Sequence, residues 1–274
     1  RPLNTSSLTE QVQDLHAAGI RSAAIALLHS YRNPDHEQGL AAFLHEAGME
    51  TISISCQLAP LIKILPRAQT AVVDAYLTPI VGGYLDRVEA VVGGQDLHVM
   101  TSAGGLTRRE DFRTKDSLLS GPAGGVAGAV EAARRAGIDR VLSFDMGGTS
   151  TDVARYDGDF DYEFEHRVGD AHLVAPALAI ETVAAGGGSI CAYASGRLRV
   201  GPESAGASPG PACYGAGGPL TITDVNLLMG RLDATQFEIP VNQDAAQKVL
   251  DTLCEQMKAD GSDAGVDEAV DQEA

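Results

Sequence analysis

At 274 residues the chain can bury a sizeable core and hold one large or two small domains. Its apolar content of 44% is ordinary for a globular protein, and no apolar run is long enough to cross a bilayer. With 37 acidic against 20 basic residues the formal net charge is −17, which disfavours nucleic acid and membrane as partners. From the N-terminus, Thr5 or Ser7 can cap a helix with Leu8, Val12, Leu15 and Ala18 on one face, ending at Gly19. Ile20–Leu28 reads as a buried strand. Pro34 opens a second helix through Leu40, Phe43 and Leu44 to Gly48, and Glu50–Cys56 is another strand. This βα alternation points to a sheet with covering helices. Arg67–Val92 has a long helical pattern that a break near Pro79 or Gly82-Gly83 could interrupt. His16, His29, His36 and His45 fall in this part, and their spacing does not put three on one face as a metal site would need.

Leu97–Thr101 reads as a strand running into Ser102–Gly105, after which Thr107 caps a short helix. Gly121–Arg135 is a Gly/Ala-rich helix entered through Ser120-Gly121-Pro122. Its start could turn amides toward an anion, or its glycines could let it pack closely on the sheet.

The densest chemical signal is Val141–Gly158, VLSFDMGGTSTDVARYDG. Val141, Leu142 and Phe144 suit a buried strand ending at Asp145. Gly147-Gly148 then permits a tight turn, and Thr149, Ser150 and Thr151 set hydroxyls beside its amides. Successive amides in such a turn form an anion-binding concavity. Asp145 and Asp152 stand at its two ends, where carboxylates can hold the magnesium and water that accompany nucleotide phosphates. The other reading is a plain hairpin with two solvated aspartates. Further on, Phe160, Tyr162, Phe164 and His166 alternate with acids as an edge strand does. Gly186-Gly187-Gly188-Ser189 is either a flexible turn or a place where backbone approaches a ligand.

DMGGTSTDV resembles a phosphate loop of the hydantoinase/5-oxoprolinase A-subunit family. TSAGGL (101–106), LLSGPAGGVAGA (118–129), AAGGGSI (184–190), VGPESAGASPGPACYGAGG (200–218) and TITDVNLLMGRL (221–232) resemble further segments of that family in its order. The resemblance is good over Thr51–Leu232 and loose on the flanks. It implies an α/β (mixed α+β), actin-like ATPase or ribonuclease H-like fold with mixed sheets covered by helices. Residues 1–136 would form a first α/β portion, 137–258 a second actin-like subdomain with the phosphate hairpin, and 259–274 a disordered acidic tail. It implies ATP and Mg²⁺ as cofactors, a cyclic amide such as 5-oxoproline or a hydantoin as substrate, and a hydantoinase B-type subunit as partner. In that scheme backbone at Gly147, Gly148 and Thr149, with Thr151, cradles phosphate. Asp145 holds Mg²⁺ through water, Asp152 supports the loop or orients a nucleophile, and Gly186, Gly187, Gly188 and Ser189 lie against the nucleotide. The family's additional D-x-G-G-T loop is not found, so the chain is expected to be the central portion of a longer A subunit and to need its remaining parts. A ketone carboxylase subunit and a nucleotide-binding regulatory module are the alternatives.

Cys56, Cys191, Cys213 and Cys254 form no C-x-x-C pair, which argues for free thiols in a cytoplasmic protein. Cys213 could be a nucleophile or a packed thiol. Its segment, Pro202–Gly218, has a linker's composition, whereas the resemblance implies an ordered loop over the site. Thr223-Asp224 caps a helix at Val225–Met229, and Asp224 could also face the site. Asn242–Lys258 is one amphipathic helix. The lysine-poor, acidic surface fits either a salt-adapted protein or an ordinary acidic one. The chain starts at Arg1 rather than Met, so its native start is expected upstream.

Overall fold

A computed structural model describes residues 3–5, 7–93 and 97–260 of a mixed α/β protein. The acidic segment 261–274, with most of the expected tail, lies outside the described residues. Two compact units are formed, one from 1–141 with 155–179, the other from 142–154 with 180–274. The segment 155–179, which the sequence places with the second portion, therefore belongs to the first unit.

The first unit opens with α1 (Thr9–Ala17), β1 (Ser22–Ile25), α2 (Asp35–Glu46) and β2 (Thr51–Ile54). β1 and β2 are parallel with Ser22 opposite Thr51 and Ile25 opposite Ile54, as a βαβ crossover requires. Val12, Ile25, Leu44 and Met49 close a core between them. The expected side-chain cap of α1 is not made: Leu8 takes the cap position, and Thr5 contributes its backbone carbonyl to the Leu8 amide. A single turn, α3 (Ser55–Leu58), leads to α4 (Ile64–Val92). α4 runs 29 residues without the expected break, Pro79 included, and ends on Gly93 in the left-handed conformation. Besides Leu85 further along, its buried face is Arg67, Thr70, Ala71, Asp74 and Ala75, at i, i+3, i+4, i+7 and i+8. Three of those five residues are polar, so this face is closed by hydrogen bonds as well as by apolar packing.

β3 (His98–Met100) pairs antiparallel with β4 (Leu106–Arg108). Thr107 is thus a strand residue opposite Val99, and the short helix expected there is replaced by a hairpin. α5 (Ser120–Arg135) follows, burying Ala123, Val126 and Val130 on one face. The strands β5 (Arg140–Met146) and β6 (Thr151–Asp157) come next, then the antiparallel pair β7 (Tyr162–Val168) and β8 (Ala171–Leu178). β8 packs on α4: the Val174 amide donates to Thr70 Oγ1 at 2.9 Å and the His172 amide to Gln69 Oε1 at 3.1 Å.

In the second unit β9 (Glu181–Val183) pairs antiparallel with β6, completing a three-stranded sheet in the order β5-β6-β9. β10 (Ser189–Ala194) and β11 (Arg197–Ser204) form a hairpin, followed by α6 (Ile222–Leu228) and α7 (Gln243–Ala259). Cys191, Leu220, Val225, Leu250, Leu253, Cys254 and Met257 make the core between them. β5 is a strand as expected but is not buried: Leu142 is 75% and Phe144 70% exposed, since nothing among the described residues covers them. Among the described residues no helix is long and apolar enough to cross a membrane.

Candidate functional site

β5 ends at Met146 and β6 begins at Thr151, so Gly147–Ser150 is the turn between neighbouring strands. The Gly147 amide donates to the Ser150 carbonyl at 2.9 Å and closes it. The amides of Gly148, Thr149 and Ser150 have no backbone partner among the described residues. Gly148 and Thr149 are exposed and Ser150 half-buried. Three successive amides of this kind make a concavity of positive partial charge.

A second turn props the first. Gly187 donates its amide to Gly147 O at 3.0 Å, and Gly188 to Gly148 O at 2.7 Å. Backbone meets backbone here so closely that side chains are excluded. A Cβ on Gly186 would stand 2.7 Å from Gly148 C and Thr149 N, and one on Gly188 would stand 2.8 Å from Gly148 O. Gly187 is packed against the Thr223 hydroxyl, which donates to Gly187 O at 2.8 Å. A Cβ on Gly148, by contrast, would meet nothing within 4 Å, and its φ is not left-handed. The steric need for glycine therefore falls on 186–188 more than on 148.

The remaining candidates divide by what their side chains touch. Asp145 is exposed near the end of β5, and its carboxylate has no hydrogen-bond or ion-pair partner among the described residues. Asp152 is half-buried on β6, opposite Thr182, whose hydroxyl donates to Asp152 Oδ1 at 2.6 Å. Thr151 is buried and its hydroxyl donates to Ala185 O at 2.6 Å. Ser189 Oγ accepts the Gly186 amide at 2.9 Å. The Thr151 hydroxyl thus ties the first turn to the second, the Ser189 hydroxyl closes the second turn on itself, and Thr149 stays exposed at the concavity.

Pro202–Gly218 is ordered rather than a linker: Pro202–Ser204 end β11, and the rest is a loop. The Ala205 amide donates to Gly188 O at 2.8 Å, so the loop adjoins the glycine triplet. Its far end is clamped by Asp224, fully buried, which accepts from the amides of Ala212 (3.1 Å), Cys213 (2.7 Å) and Thr221 (2.8 Å) and from the Thr221 hydroxyl (2.8 Å). The cap of α6 is Thr221, with Asp224 in the first turn completing a capping box, where Thr223-Asp224 were expected to cap. Cys213 has no exposure, and burial first, then the Asp224 carboxylate, pushes its thiol up to about 12. That is a packed thiol, not a nucleophile.

A cavity of about 290 Å³ opens beside Gly186 and Ser189, with Met146, Ile222 and Val225 as apolar wall and Asn226 and Arg231 as its polar groups. Neither Asn226 nor Arg231 stands out in the sequence. They lie well downstream of the triplet along the chain, and no local spacing links them to it. Among the described residues no group of three or more His, Cys, Asp or Glu could hold a metal.

A family model described as Hydantoinase/oxoprolinase matches residues 67–272, and one for the Hydantoinase/oxoprolinase N-terminal region matches residues 1–48. The chain is 47% identical over 232 residues to a 5-oxoprolinase of Saccharomyces cerevisiae, covering 83% of this chain and 18% of that protein. Caprolactamase of Pseudomonas jessenii is similar in both sequence and structure. Its subunit alpha is 36% identical over 84% of this chain and 35% of its own length. The crystal structure, described as an ATP-dependent caprolactamase, superposes with a TM-score of 0.78 at 31% identity, covering 99% of this chain and 40% of that one. A nucleotide-free acetone carboxylase shares the fold, with a TM-score of 0.72 at 24% identity over 98% of this chain and 40% of that one.

Proposed function

Because the chain belongs to the hydantoinase/oxoprolinase family, we propose that it supplies part of the ATP-handling centre of an enzyme that opens cyclic amides of the 5-oxoproline or hydantoin type. The chain spans less than a fifth of the yeast relative and about two-fifths of the caprolactamase chain. The remaining parts of an A subunit, and a B-type partner subunit like the one implied by a subunit alpha, would complete the site. On this reading the fold is of the actin-like ATPase kind, with the turn at 147–150 as one phosphate loop.

The chemical need is specific. Amide resonance gives the ring C–N bond partial double-bond character, seen as a rotation barrier of ~18–20 kcal/mol, and makes a lactam a poor electrophile. Transfer of the ATP γ-phosphoryl group to the carbonyl oxygen forms an O–P bond, releases ADP and removes that resonance. Water then adds to the carbon, the C–N bond opens with the nitrogen taking a proton, and a second water cleaves the acyl phosphate so formed to carboxylate and phosphate. Positioning and charge stabilisation carry such a transfer.

The observation that carries the reading is the row of three amides, Gly148, Thr149 and Ser150, held open by the glycine triplet behind them. These amides would cradle phosphate oxygens. The apolar-walled cavity with Asn226 and Arg231 has the chemistry to receive a nucleoside. Asp145, a single unpaired carboxylate, fits Mg²⁺, which keeps several waters and takes one or two carboxylates; the ion would neutralise phosphate charge. Asp152, engaged by Thr182, would support the hairpin.

The test is ATP consumption dependent on a cyclic amide, measured in the complete protein with its partner subunit. Asp145→Asn is expected to keep the fold and lower turnover by about 10²–10³, the scale of one lost transition-state interaction. Gly148→Val is expected to fold and lose nucleotide binding, because its side chain would occupy the space before the amides. Unchanged ATPase kinetics in both variants would remove the hairpin from the reaction.

A further inference from the structure

We infer that the outward face of α4 is a two-fold interface between two copies of this chain. α4 buries one side against the first unit, and its opposite side is apolar as well. Leu65, Val72, Tyr76, Ile80, Tyr84 and Val91 are each between 57% and 87% exposed. At about 100° per residue they gather on the side turned away from Arg67, Thr70, Ala71 and Asp74, and they run ~39 Å along the helix. A helix that is apolar all round is a buried helix, so this side calls for a cover.

Charge and size select a second copy as that cover. Between Lys63 and Asp86 the only charged residues are Arg67 and Asp74, both on the buried side. The chain carries a net charge of −17, so copies that meet through acidic surface repel, and this neutral face is where they approach without that cost. A basic partner would be drawn to the acidic surface and would find no opposite charge here. The six side chains expose roughly 700 Å², above the ~300–600 Å² of the largest patch on a typical monomer and near the ~800 Å² per partner of a standard interface.

The spacing adds symmetry. The intervals between the six residues are 7, 4, 4, 4 and 7, which read the same in either direction. An antiparallel copy, turned about a two-fold axis at position 78, therefore sets Tyr76 against the partner's Ile80 and Val72 against the partner's Tyr84. Val72, Tyr76, Ile80 and Tyr84 stand at i, i+4, i+8 and i+12 and form one ridge of the helix. Two such ridges lie side by side at the common helix crossing of about −50°. Tyrosine suits that contact, since its ring packs while its hydroxyl reaches the wet rim.

The experiment measures association of this chain by sedimentation equilibrium from about 1 to 100 µM. A monomer–dimer equilibrium is expected, with Val72→Lys and Tyr84→Glu each raising the dissociation constant about ten-fold or more. Both positions are exposed, so the melting temperature of the dilute chain is expected to stay unchanged in either variant. Mixing the two variants in equal amounts is expected to restore the dimer, because the new lysine then faces the new glutamate across the axis. Mixing Val72→Lys with Val72→Glu is expected not to restore it, since these two positions stand ~18 Å apart along the paired helices. A chain that stays monomeric throughout this range leaves the face to another part of the longer protein or to a partner subunit, and overturns the pairing. So does a dimer that both single variants leave intact, or one that the two mixtures restore equally.

Discussion

A Cβ at Gly186 would meet backbone at 2.7 Å, and backbone at a turn-on-turn contact has no room to retreat. Gly186→Ala is therefore expected to destabilise the second unit by ~1–3 kcal/mol, the range for overpacking. Gly148→Ala should leave the melting temperature nearly unchanged, since its Cβ meets open space and its φ is not left-handed. Equal melting temperatures for the two variants would contradict the interlocked turns. Cysteine chemistry gives a second residue-scale test. Cys213, with its thiol pushed up to about 12, should resist alkylation at pH 8 in the native state and react on unfolding. Cys56, half-buried and pushed up to about 11 by burial and then by Glu37, should react before it. Faster labelling of Cys213 by mass spectrometry would show that the 202–218 loop opens. The D-x-G-G-T pattern makes the turn legible, because acid, glycine pair and hydroxyls are contiguous. Which hydroxyls do structural work is not legible: Thr151 finds its partner, Ala185 O, only through contact with a segment distant in sequence.

At the scale of elements, α4 shows what periodicity can and cannot tell. Its helical pattern is plain, yet polar residues on the buried face hide its inward side. Arg67 and Glu37 both have no exposure and lie 3.5 Å apart. The Arg67 guanidinium also donates to Ser30 and Ser55 and to Leu27 O, which ties α4 to the first βαβ unit. Arg67→Met would strand the Glu37 carboxylate and is expected to cost ~3–5 kcal/mol, while pairing it with Glu37→Leu should recover much of that. Chemical denaturation of the single and double variants checks this, and additive losses would refute the coupling. Burial pushes the Glu37 carboxyl up, but donation from the Leu27 amide, Ser55 and the Cys56 amide holds it below its ordinary 4.5. A depressed folded-state value means Glu37 contributes stability above about pH 4.5, and that this contribution is lost as pH falls through the folded value. The melting temperature of Glu37→Gln should thus lie below that of the unaltered chain at pH 7, and the gap should narrow on acidification. Strand length is hard to read for a related reason: Ile20–Leu28 continues the apolar run, but only Ser22–Ile25 has a pairing partner in β2. A run of apolar residues does not reveal where its neighbour ends.

For the whole molecule the decisive quantity is the net charge of −17. Salt acts on it in two opposing ways. Exposed pairs such as Arg140–Asp157, Arg135–Glu131 and Arg155–Asp161 lose attraction, but pairs of this kind contribute about 0–1 kcal/mol each even unscreened. The 37 acids exceed the 20 bases, so most carboxylate–carboxylate repulsion has no such compensation and is relieved by screening. The Debye length falls from about 30 Å at 0.01 M to about 8 Å at 0.15 M and 3 Å at 1 M. Most long-range repulsion is therefore removed in the first step, and charges a few ångströms apart are screened only in the second. The expected result is a melting temperature that rises steeply with KCl to about 0.15 M and continues upward more gently to 1 M. Replacing KCl by sucrose separates charge screening from exclusion of cosolute from the surface, since sucrose changes the second and not the first. A flat or falling melting temperature across the KCl series would mean that paired charges, not the excess of acids, set the electrostatic balance, and the salt-adapted reading of the surface would be rejected.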